Sequence, residues 1–273
     1  MPDLVAEPEQ KDIERELREA GSMSLLQHLE ELRKCIIHSL AAVGICFLGL
    51  WYEADTLLYY MSWPIKDALK KNGLDPVLNY TSPTDPFNIK LKLGLIAGLF
   101  VACPYVLYQV WKFISPGLYR HEKRFILPFL VLSVSLFLGG GYFGYRVVFP
   151  VALEFLIQQG KDMHAIITID KYSALFLGIV GGLAVIFEMP IVLGFAGLMG
   201  VVNARFLFKH IRGAVLICVT AAAILSPTTD IMNLAIYSAP MILLYILSIG
   251  VVWLVHPKQR RKRKEKREQQ GLK

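Results

Sequence analysis

The stretch LGLIAGLFVACPYVLYQVW, residues 93–111, contains no charged side chain and indicates the fold class of this chain. Apolar runs of about 18 residues or more are typical of transmembrane helices, because a helix of that length crosses the hydrocarbon core of a bilayer. Similar runs recur along the 273 residues, of which 55% are hydrophobic and only 19% charged. A soluble domain carries about 25% charged residues. The sequence therefore predicts an all-α, polytopic membrane protein and excludes a soluble core.

Six apolar segments are predicted to span the membrane within one membrane domain, residues 23–255. They are residues 35–52, 89–113, 125–149, 171–199, 213–226 and 231–255. An acidic and flexible tail, residues 1–22, precedes the domain without the apolar segment of a signal peptide. A basic tail, residues 256–273, follows the last span. Its position after a hydrophobic helix favours contact with anionic membrane lipid over nucleic acid.

The segments between the spans also have predicted structures. Residues 23–34 carry leucines at helical spacing, which predicts an amphipathic helix on the membrane surface that leads into the first span. Residues 53–88 are predicted to be a long polar segment with room for a short helix after Pro64. Residues 151–170 are predicted to be a polar loop, because the third span is expected to end at Phe149-Pro150.

The distribution of Lys and Arg predicts the orientation in the membrane. With six spans, one side of the membrane receives most of the 29 Lys and Arg residues, in the segments 1–34, 112–124, 200–212 and 256–273. The positive-inside rule therefore predicts that both termini are cytoplasmic. The fifth span is short, and a helix rises only 1.5 Å per residue through a core about 30 Å thick. We therefore expect the bilayer to thin around spans five and six.

Signatures of catalysis and of cofactor binding are absent from the sequence. It contains neither the phosphate-binding G-x-x-x-x-G-K-[ST] nor the G-x-S-x-G of serine hydrolases. The six histidines do not pair at metal-ligand spacing, and the four cysteines are interpreted as small buried hydrophobic residues. We therefore expect no enzyme, no cofactor and no metal site; an intramembrane hydrolase would need a nucleophile and a base that we do not find.

Two carboxylates stand among cations near the predicted cytoplasmic surface. Glu31 precedes Arg33 and Lys34, and Glu122 lies in the basic turn between the second and third spans. One interpretation is that these are solvated helix ends. The other is that the two carboxylates receive a cationic peptide, because guanidinium binds carboxylate bidentately and lysine does not. The residues alone leave both interpretations open.

Three further positions are candidates for function. Gln109 and Phe113, one turn apart, are either helix-packing residues or the floor of a groove for an apolar peptide segment. Glu188 lies deep in the fourth span beside Pro190; a carboxylate there marks a functional site by default, and a structural hydrogen bond to another helix is the alternative. Asp230, in the turn before the last span, is explained by turn chemistry or by a partner site.

Several short motifs resemble, in order, the twin-arginine protein translocase C subunit family, TatC. The resemblance extends over residues 24–255. The motifs are HLEELRK (28–34), SPTDPF (82–87), YQVWKFISPGL (108–118), FEMP (187–190) and the turn SPTTD (226–230). The acid of the second motif is Asp85, where the family pattern has Glu. Leu234 stands where the family often has Gln.

The resemblance implies a receptor core in the cytoplasmic membrane of a prokaryote. It implies binding of twin-arginine signal peptides of folded precursors, assembly into homo- and hetero-oligomers with single-span TatA and TatB proteins, and use of the proton-motive force. The implied fold is a concave bundle with short fifth and sixth helices. The implied signal-peptide site comprises Glu31, Arg33, Gln109, Phe113 and Glu122. The other matched positions are Glu188 on the concave face, Thr228, Asp230 and Asn233 in the partner-docking region, and Pro64 and Phe87 as extracytoplasmic structural residues.

The main alternative function is a proton-coupled secondary transporter of a small solute. Glu188 would then relay protons, and the cytoplasmic charges would gate the path. The sequence has no convincing internal repeat, which weighs modestly against an inverted-repeat transporter. Copurification with small single-span proteins and a precursor would favour the receptor, whereas solute uptake by the isolated protein would favour the transporter.

Overall fold

A computed structural model describes residues 25–114, 126–160, 166–225 and 231–255. Within these ranges the chain forms ten α-helices, and a π-helical turn, Gly144–Val148, joins the fourth helix to the fifth. The helices are α1 (Leu25–Trp51), α2 (Ala54–Lys71), α3 (Asp85–Ile114), α4 (Ile126–Phe143), α5 (Phe149–Gln159), α6 (Ile169–Ile186), α7 (Met189–Leu198), α8 (Ala204–Lys209), α9 (Ile211–Leu225) and α10 (Ile231–Val255). The predicted all-α class is confirmed, but the expectation of a short sixth helix is wrong, because α10 continues for 25 residues through the whole last apolar run.

Five helical rods in the described chain are long and apolar enough to cross a membrane. They are Gln27–Trp51, Asp85–Ile114, Ile126–Gln159, Ile169–Leu198 and Leu234–Leu254. The helix α9 is also apolar but has only 15 residues, which cover about 22 Å of a hydrocarbon core about 30 Å thick. The polytopic architecture is thus confirmed, whereas a sixth crossing by α9 stays a prediction.

The predicted surface helix and the predicted first span form one unbroken helix, α1. No proline or glycine interrupts residues 25–43. The Nδ1 of His38 hydrogen-bonds to the backbone carbonyl of Lys34 at 2.6 Å, across the predicted boundary between residues 34 and 35. The charged motif of residues 28–34 therefore extends the same rod that enters the apolar region.

The helix α2 occupies half of the predicted polar segment 53–88 and continues through Pro64 without a break. The sequence predicts a helix only after Pro64, because proline has no backbone N–H to donate to the carbonyl one turn earlier, that of Tyr60. The structure supplies another donor: the hydroxyl of Tyr145, in the π-helical turn, lies 2.9 Å from the Tyr60 carbonyl oxygen. This tertiary hydrogen bond allows the helix to continue.

We expect Tyr145→Phe to destabilise the protein by about 0.5–1.5 kcal/mol, the usual net contribution of one hydrogen bond. The cost should shrink in a Pro64→Ala background, because the restored backbone N–H supplies the Tyr60 carbonyl from within α2. Unfolding of the four variants in detergent forms a double-mutant cycle. Tyr142→Phe, which alters an exposed tyrosine of the neighbouring α4, is the control. If the losses of unfolding free energy in Tyr145→Phe and Pro64→Ala simply add in the double variant, this account of Pro64 is contradicted.

The third rod does not end at Phe149-Pro150, so the prediction of a loop from residue 151 is wrong. The chain continues as α5 to Gln159. Pro150 lies at the start of α5, directly after the π-helical turn, where the hydrogen-bond ladder already changes register. Proline has no backbone N–H, and its absence disrupts a helix least in the first turn. Phe149 is fully buried, so packing holds the junction together.

The fourth rod breaks near its middle, between α6 and α7. Phe187 and Glu188 form the break, and Pro190 lies in the first turn of α7. The side chain of Phe187 packs against α4, where a Cβ on Gly140 would come within 2.7 Å of it. A small residue at position 140 therefore lets the third rod approach the break closely.

Contacts at one end of the bundle tie α2, α3 and α6 together. The backbone N–H of Asn79 donates to Ile167 (2.9 Å), and the N–H of Ile169 donates back to Asn79 (2.7 Å). Two ion pairs add to this end: Lys92 with Asp170 (3.2 Å) and Lys90 with Asp55 (2.5 Å). The matched structural positions lie here: Pro64 is buried, and the exposed Phe87 ring lies edge-on to Trp51 at 5.8 Å.

Asp85 has a local structural role at the start of α3. Its Oδ2 accepts hydrogen bonds from the backbone N–H groups of Ser82 (2.9 Å) and Thr81 (3.0 Å), and from the Thr81 hydroxyl (3.1 Å). The departure from Glu to Asp in this motif therefore retains a carboxylate that organises the turn before the helix.

Candidate functional site

The charged motif of α1 lies against the end of α3. The imidazole ring of His28 stacks on the ring of Phe113, with the ring centroids 4.3 Å apart and the planes 17° from parallel. The two helices pack along their lengths, and a Cβ on Gly98 would lie 3.0 Å from the backbone nitrogen of Phe47. Two motifs distant in sequence, HLEELRK and QVWKF, thus form one surface.

The two neighbouring glutamates of α1 differ in their environments. Glu30 is exposed and pairs with Lys34. Glu31 is half-buried, and its carboxylate makes no hydrogen bond or ion pair with any residue that the structure describes. Arg33 is exposed and also has no ion-pair partner within the described ranges. Among the described residues, this surface therefore carries one carboxylate that is paired with a lysine and one that is not.

Gln109 and Phe113 lie in different surroundings despite their one-turn spacing. Phe113 is half-buried at the contact between α1 and α3. Gln109 is buried, and its Nε2 donates to the Tyr105 hydroxyl at 2.7 Å within the same helix. Phe113 can therefore contact a ligand at the surface directly, whereas Gln109 supports the helix beneath it.

Glu188 meets another helix from its position in the break of the fourth rod. The hydroxyl of Ser133, in α4, donates a hydrogen bond to its Oε2. Its other oxygen, Oε1, is buried without a hydrogen-bond partner among the described residues. Glu188 therefore makes the hydrogen bond between helices that was one of its two predicted roles. Its second carboxyl oxygen is still free to accept a hydrogen bond from a group outside the described residues.

Ser133 is a candidate site residue that our sequence reasoning missed. It is 1% exposed. Its neighbour Ser135 hydrogen-bonds the Val131 carbonyl of its own helix at 2.8 Å, as serine commonly does in apolar helices. The sequence LSVSLF gives no sign of which serine faces the fourth rod, so only the tertiary structure distinguishes them.

Several predicted site residues lie outside the part of the chain that the structure describes. Glu122 lies in residues 115–125, and Thr228 and Asp230 lie in residues 226–230, all outside the described ranges. Asn233 belongs to the first turn of α10, but its side chain is not described. The described residues contain no cluster of three or more side chains suited to a metal ion.

Comparisons with known proteins identify the family. The family model described as Sec-independent protein translocase protein (TatC) matches residues 27–240. A TatC protein of Koribacter versatilis is 52% identical over 248 residues, covering 91% of this chain and 92% of that protein. A TatC protein of Carboxydothermus hydrogenoformans is 34% identical and covers 87% of this chain and 96% of that protein.

A solved structure described as the twin-arginine translocase receptor TatC has the same fold. It superposes with a TM-score of 0.74 at 33% identity, covering 84% of this chain and 99% of that one. These matches, with five rods able to cross a membrane, identify a multi-pass membrane subunit of a bacterial protein translocase rather than an enzyme. They also favour a translocase subunit over the solute-transporter alternative. The chain belongs to the TatC family of Sec-independent protein translocase proteins.

Proposed function

We propose that this protein is the core receptor of a twin-arginine translocation system. It binds twin-arginine signal peptides of folded precursors and nucleates a translocase that contains TatA and TatB and is driven by the proton-motive force. It spans the cytoplasmic membrane six times with both termini in the cytoplasm. Family membership and the distribution of Lys and Arg support this proposal.

The observation that carries the proposal is the meeting of His28 and Phe113. Glu31 follows His28 by three residues, so its side chain lies on the same side of α1, about one turn from this stack. A twin-arginine signal peptide combines a guanidinium pair with an apolar segment, so it needs these two chemistries side by side. Leu29, which is 59% exposed on the same turn, enlarges the apolar part of this surface.

We propose that the carboxylates of Glu31 and Glu122 recognise the two arginines of the signal peptide. Glu31 binds one guanidinium bidentately, and Glu122, which lies outside the described residues, binds the second. Arg33 belongs to the same proposed site through its exposed guanidinium. Lysine cannot reproduce the planar, bidentate contact, so a twin-lysine peptide binds weakly.

The proposed docking region for partner subunits lies around Thr228, Asp230 and Asn233. Support comes from the neighbouring α9, which exposes several large apolar side chains: Leu216 (67%), Ile217 (70%) and Ile224 (80%). A single apolar helix of a TatA or TatB protein would cover such a face. We propose that Glu188 acts in the same assembly, as a polar group on the concave side of the bundle.

A photocrosslinking amino acid at position 113 tests the receptor proposal. A twin-arginine precursor should crosslink from this position in membranes, and the same precursor with two lysines should crosslink at least about tenfold less, which corresponds to 1.4 kcal/mol. The control places the same group at Val101, an exposed position three turns earlier on α3. Equal crosslinking from positions 113 and 101, or no preference for arginine, would refute the proposal.

A further inference from the structure

We propose that α2 is an in-plane membrane anchor, whose outer face lies in the boundary between lipid headgroups and acyl chains. The proposed partner is the lipid surface itself, with anionic phosphate groups near the lysines of the helix. This inference depends on the helix and on its two neighbouring spans. It does not depend on how the protein recognises its precursors.

The position of α2 in the chain puts it at a membrane surface. The spanning helix α1 ends at Trp51, only three residues before α2 begins at Ala54, and the next spanning helix, α3, begins at Asp85. Both ends of this connection are therefore held at the same side of the bilayer. A helix tied so closely to the end of a span lies within reach of the lipid headgroups.

The inner face of α2 is part of the protein core. Met61, Ile65 and Leu69 are 1%, 1% and 2% exposed. They pack in the main hydrophobic cluster with residues of α3, α5 and α6. This packing fixes the rotation of the helix about its own axis, so the opposite face points away from the protein.

The outer face of α2 carries large aromatic side chains. Tyr59, Tyr60 and Trp63 are 60%, 59% and 43% exposed, and Tyr52, just before the helix, is 89% exposed. Burying apolar surface is favourable, so leaving several large rings in water would forgo stabilisation. Tyrosine and tryptophan are the residues enriched at membrane interfaces, because an apolar ring and a polar atom suit the two sides of that boundary.

The next turns of the same face supply positive charge. Lys66 and Lys70 follow Trp63 at helical spacing and are exposed, with no ion pair to any residue in the described part of the chain. The neighbouring Lys71, by contrast, pairs with Asp67. Lysines with apolar stems beside aromatic rings can extend their ammonium groups to lipid phosphates. This charge complementarity favours lipid as the occupant.

Contacts with the third rod hold the aromatic face in a fixed orientation. The guanidinium carbon of Arg146 lies 5.8 Å from the centre of the Trp63 ring, and Tyr145 donates to the Tyr60 carbonyl. The π-helical turn therefore joins the aromatic face to the third rod, and the inner face of α2 packs against α3, in the second rod. The aromatic face meets the lipid as a rigid surface that sets the depth of this end of the bundle.

Spin labels on α2 test the proposal in the full-length protein. Tyr59→Cys, Trp63→Cys and the control Asp75→Cys, exposed in the loop after α2, are made in a background with Cys35→Ala and Cys46→Ala. The protein is placed in vesicles of phosphatidylethanolamine and phosphatidylglycerol. Labels at positions 59 and 63 should collide more with oxygen, which dissolves in lipid, than with a water-soluble nickel complex. The label at position 75 should show the reverse preference.

Each other result would overturn the proposal. A preference for the nickel complex at positions 59 and 63 would place the face in water. Protection from both reagents would mean that a protein partner covers it. Fluorescence of the protein with native tryptophans gives a second measurement that needs no label: the signal lost in Trp63→Tyr should be quenched more by lipids brominated near the headgroup than near the chain end. Equal or reversed quenching would also overturn the proposal.

Discussion

Glu31→Gln is expected to weaken binding of a twin-arginine signal peptide by about 30-fold or more, the lower end of 2–5 kcal/mol for a buried charged pair. Glu30→Gln is expected to change the same affinity by less than about threefold, because exposed ion pairs contribute 0–1 kcal/mol. The two substitutions remove the same charge from neighbouring residues of one helix. Their comparison therefore separates a specific contact from a general loss of negative charge.

The structure gives the reason for this difference. The carboxylate of Glu30 is directed to Lys34 at 2.8 Å. Glu31 is half-buried on the helix that carries the His28–Phe113 stack and is unpaired within the described chain. A bound guanidinium therefore replaces water at Glu31, whereas at Glu30 it would have to displace an existing ammonium group.

The measurement is a titration of a fluorescent signal peptide with each variant in lipid nanodiscs. Thermal unfolding of both variants serves as the control for folding, and we expect equal midpoints because neither side chain is buried in the core. Similar losses of affinity in Glu30→Gln and Glu31→Gln would show that only the net charge of α1 matters, which would contradict the assignment of Glu31.

Glu188→Leu is expected to abolish most protein export, whereas Glu188→Gln is expected to retain a substantial part of it. The amide oxygen of Gln can still accept the Ser133 hydroxyl, and its NH₂ group keeps polarity in the break between α6 and α7. Leu leaves that buried hydroxyl without its partner, at a cost of about 1–3 kcal/mol. It also removes the polar group that we propose acts on the concave side of the bundle.

Export of a folded reporter by cells that carry each variant gives the comparison. The amount of each variant in the membrane is measured at the same time, so that a loss of folding is distinguished from a loss of function. Ser133→Ala is the matched control: it removes the same hydrogen bond but keeps the carboxyl group, so export should fall less than in Glu188→Leu. Equal export by the Gln and Leu variants would contradict the proposed need for polarity.

Apolar runs predicted the helices able to cross a membrane because the requirements for a span follow directly from the properties of a bilayer. A span needs length and low polarity, and both are visible in a stretch such as residues 93–111. The same reasoning failed where a tertiary contact removed a local constraint. Pro64 predicted the start of a helix, but Tyr145, far along the chain, supplies the donor that lets α2 begin at Ala54.

The sequence predicted which residues belong to the candidate site, but not which partners their side chains contact. Glu31 and Glu188 were singled out because a carboxylate in or beside a membrane is unusual, and Phe113 was singled out by its motif. Charge alone did not distinguish Glu31 from Glu30; the motif selected Glu31, and the structure adds the physical difference, which is the ion pair of Glu30 with Lys34. Nor could the sequence select Ser133 as the partner of Glu188, because that choice depends on how two distant helices pack.

A double-mutant cycle between the protein and its ligand tests the central claim most directly. Four affinities are measured: the unaltered protein and Glu31→Gln, each with the twin-arginine peptide and with its twin-lysine counterpart. The account predicts strong coupling, so that Glu31→Gln weakens the arginine peptide by about 30-fold or more but changes the lysine peptide by less than about threefold. Equal losses for both peptides would show that Glu31 does not contact the arginine pair, and would contradict the account.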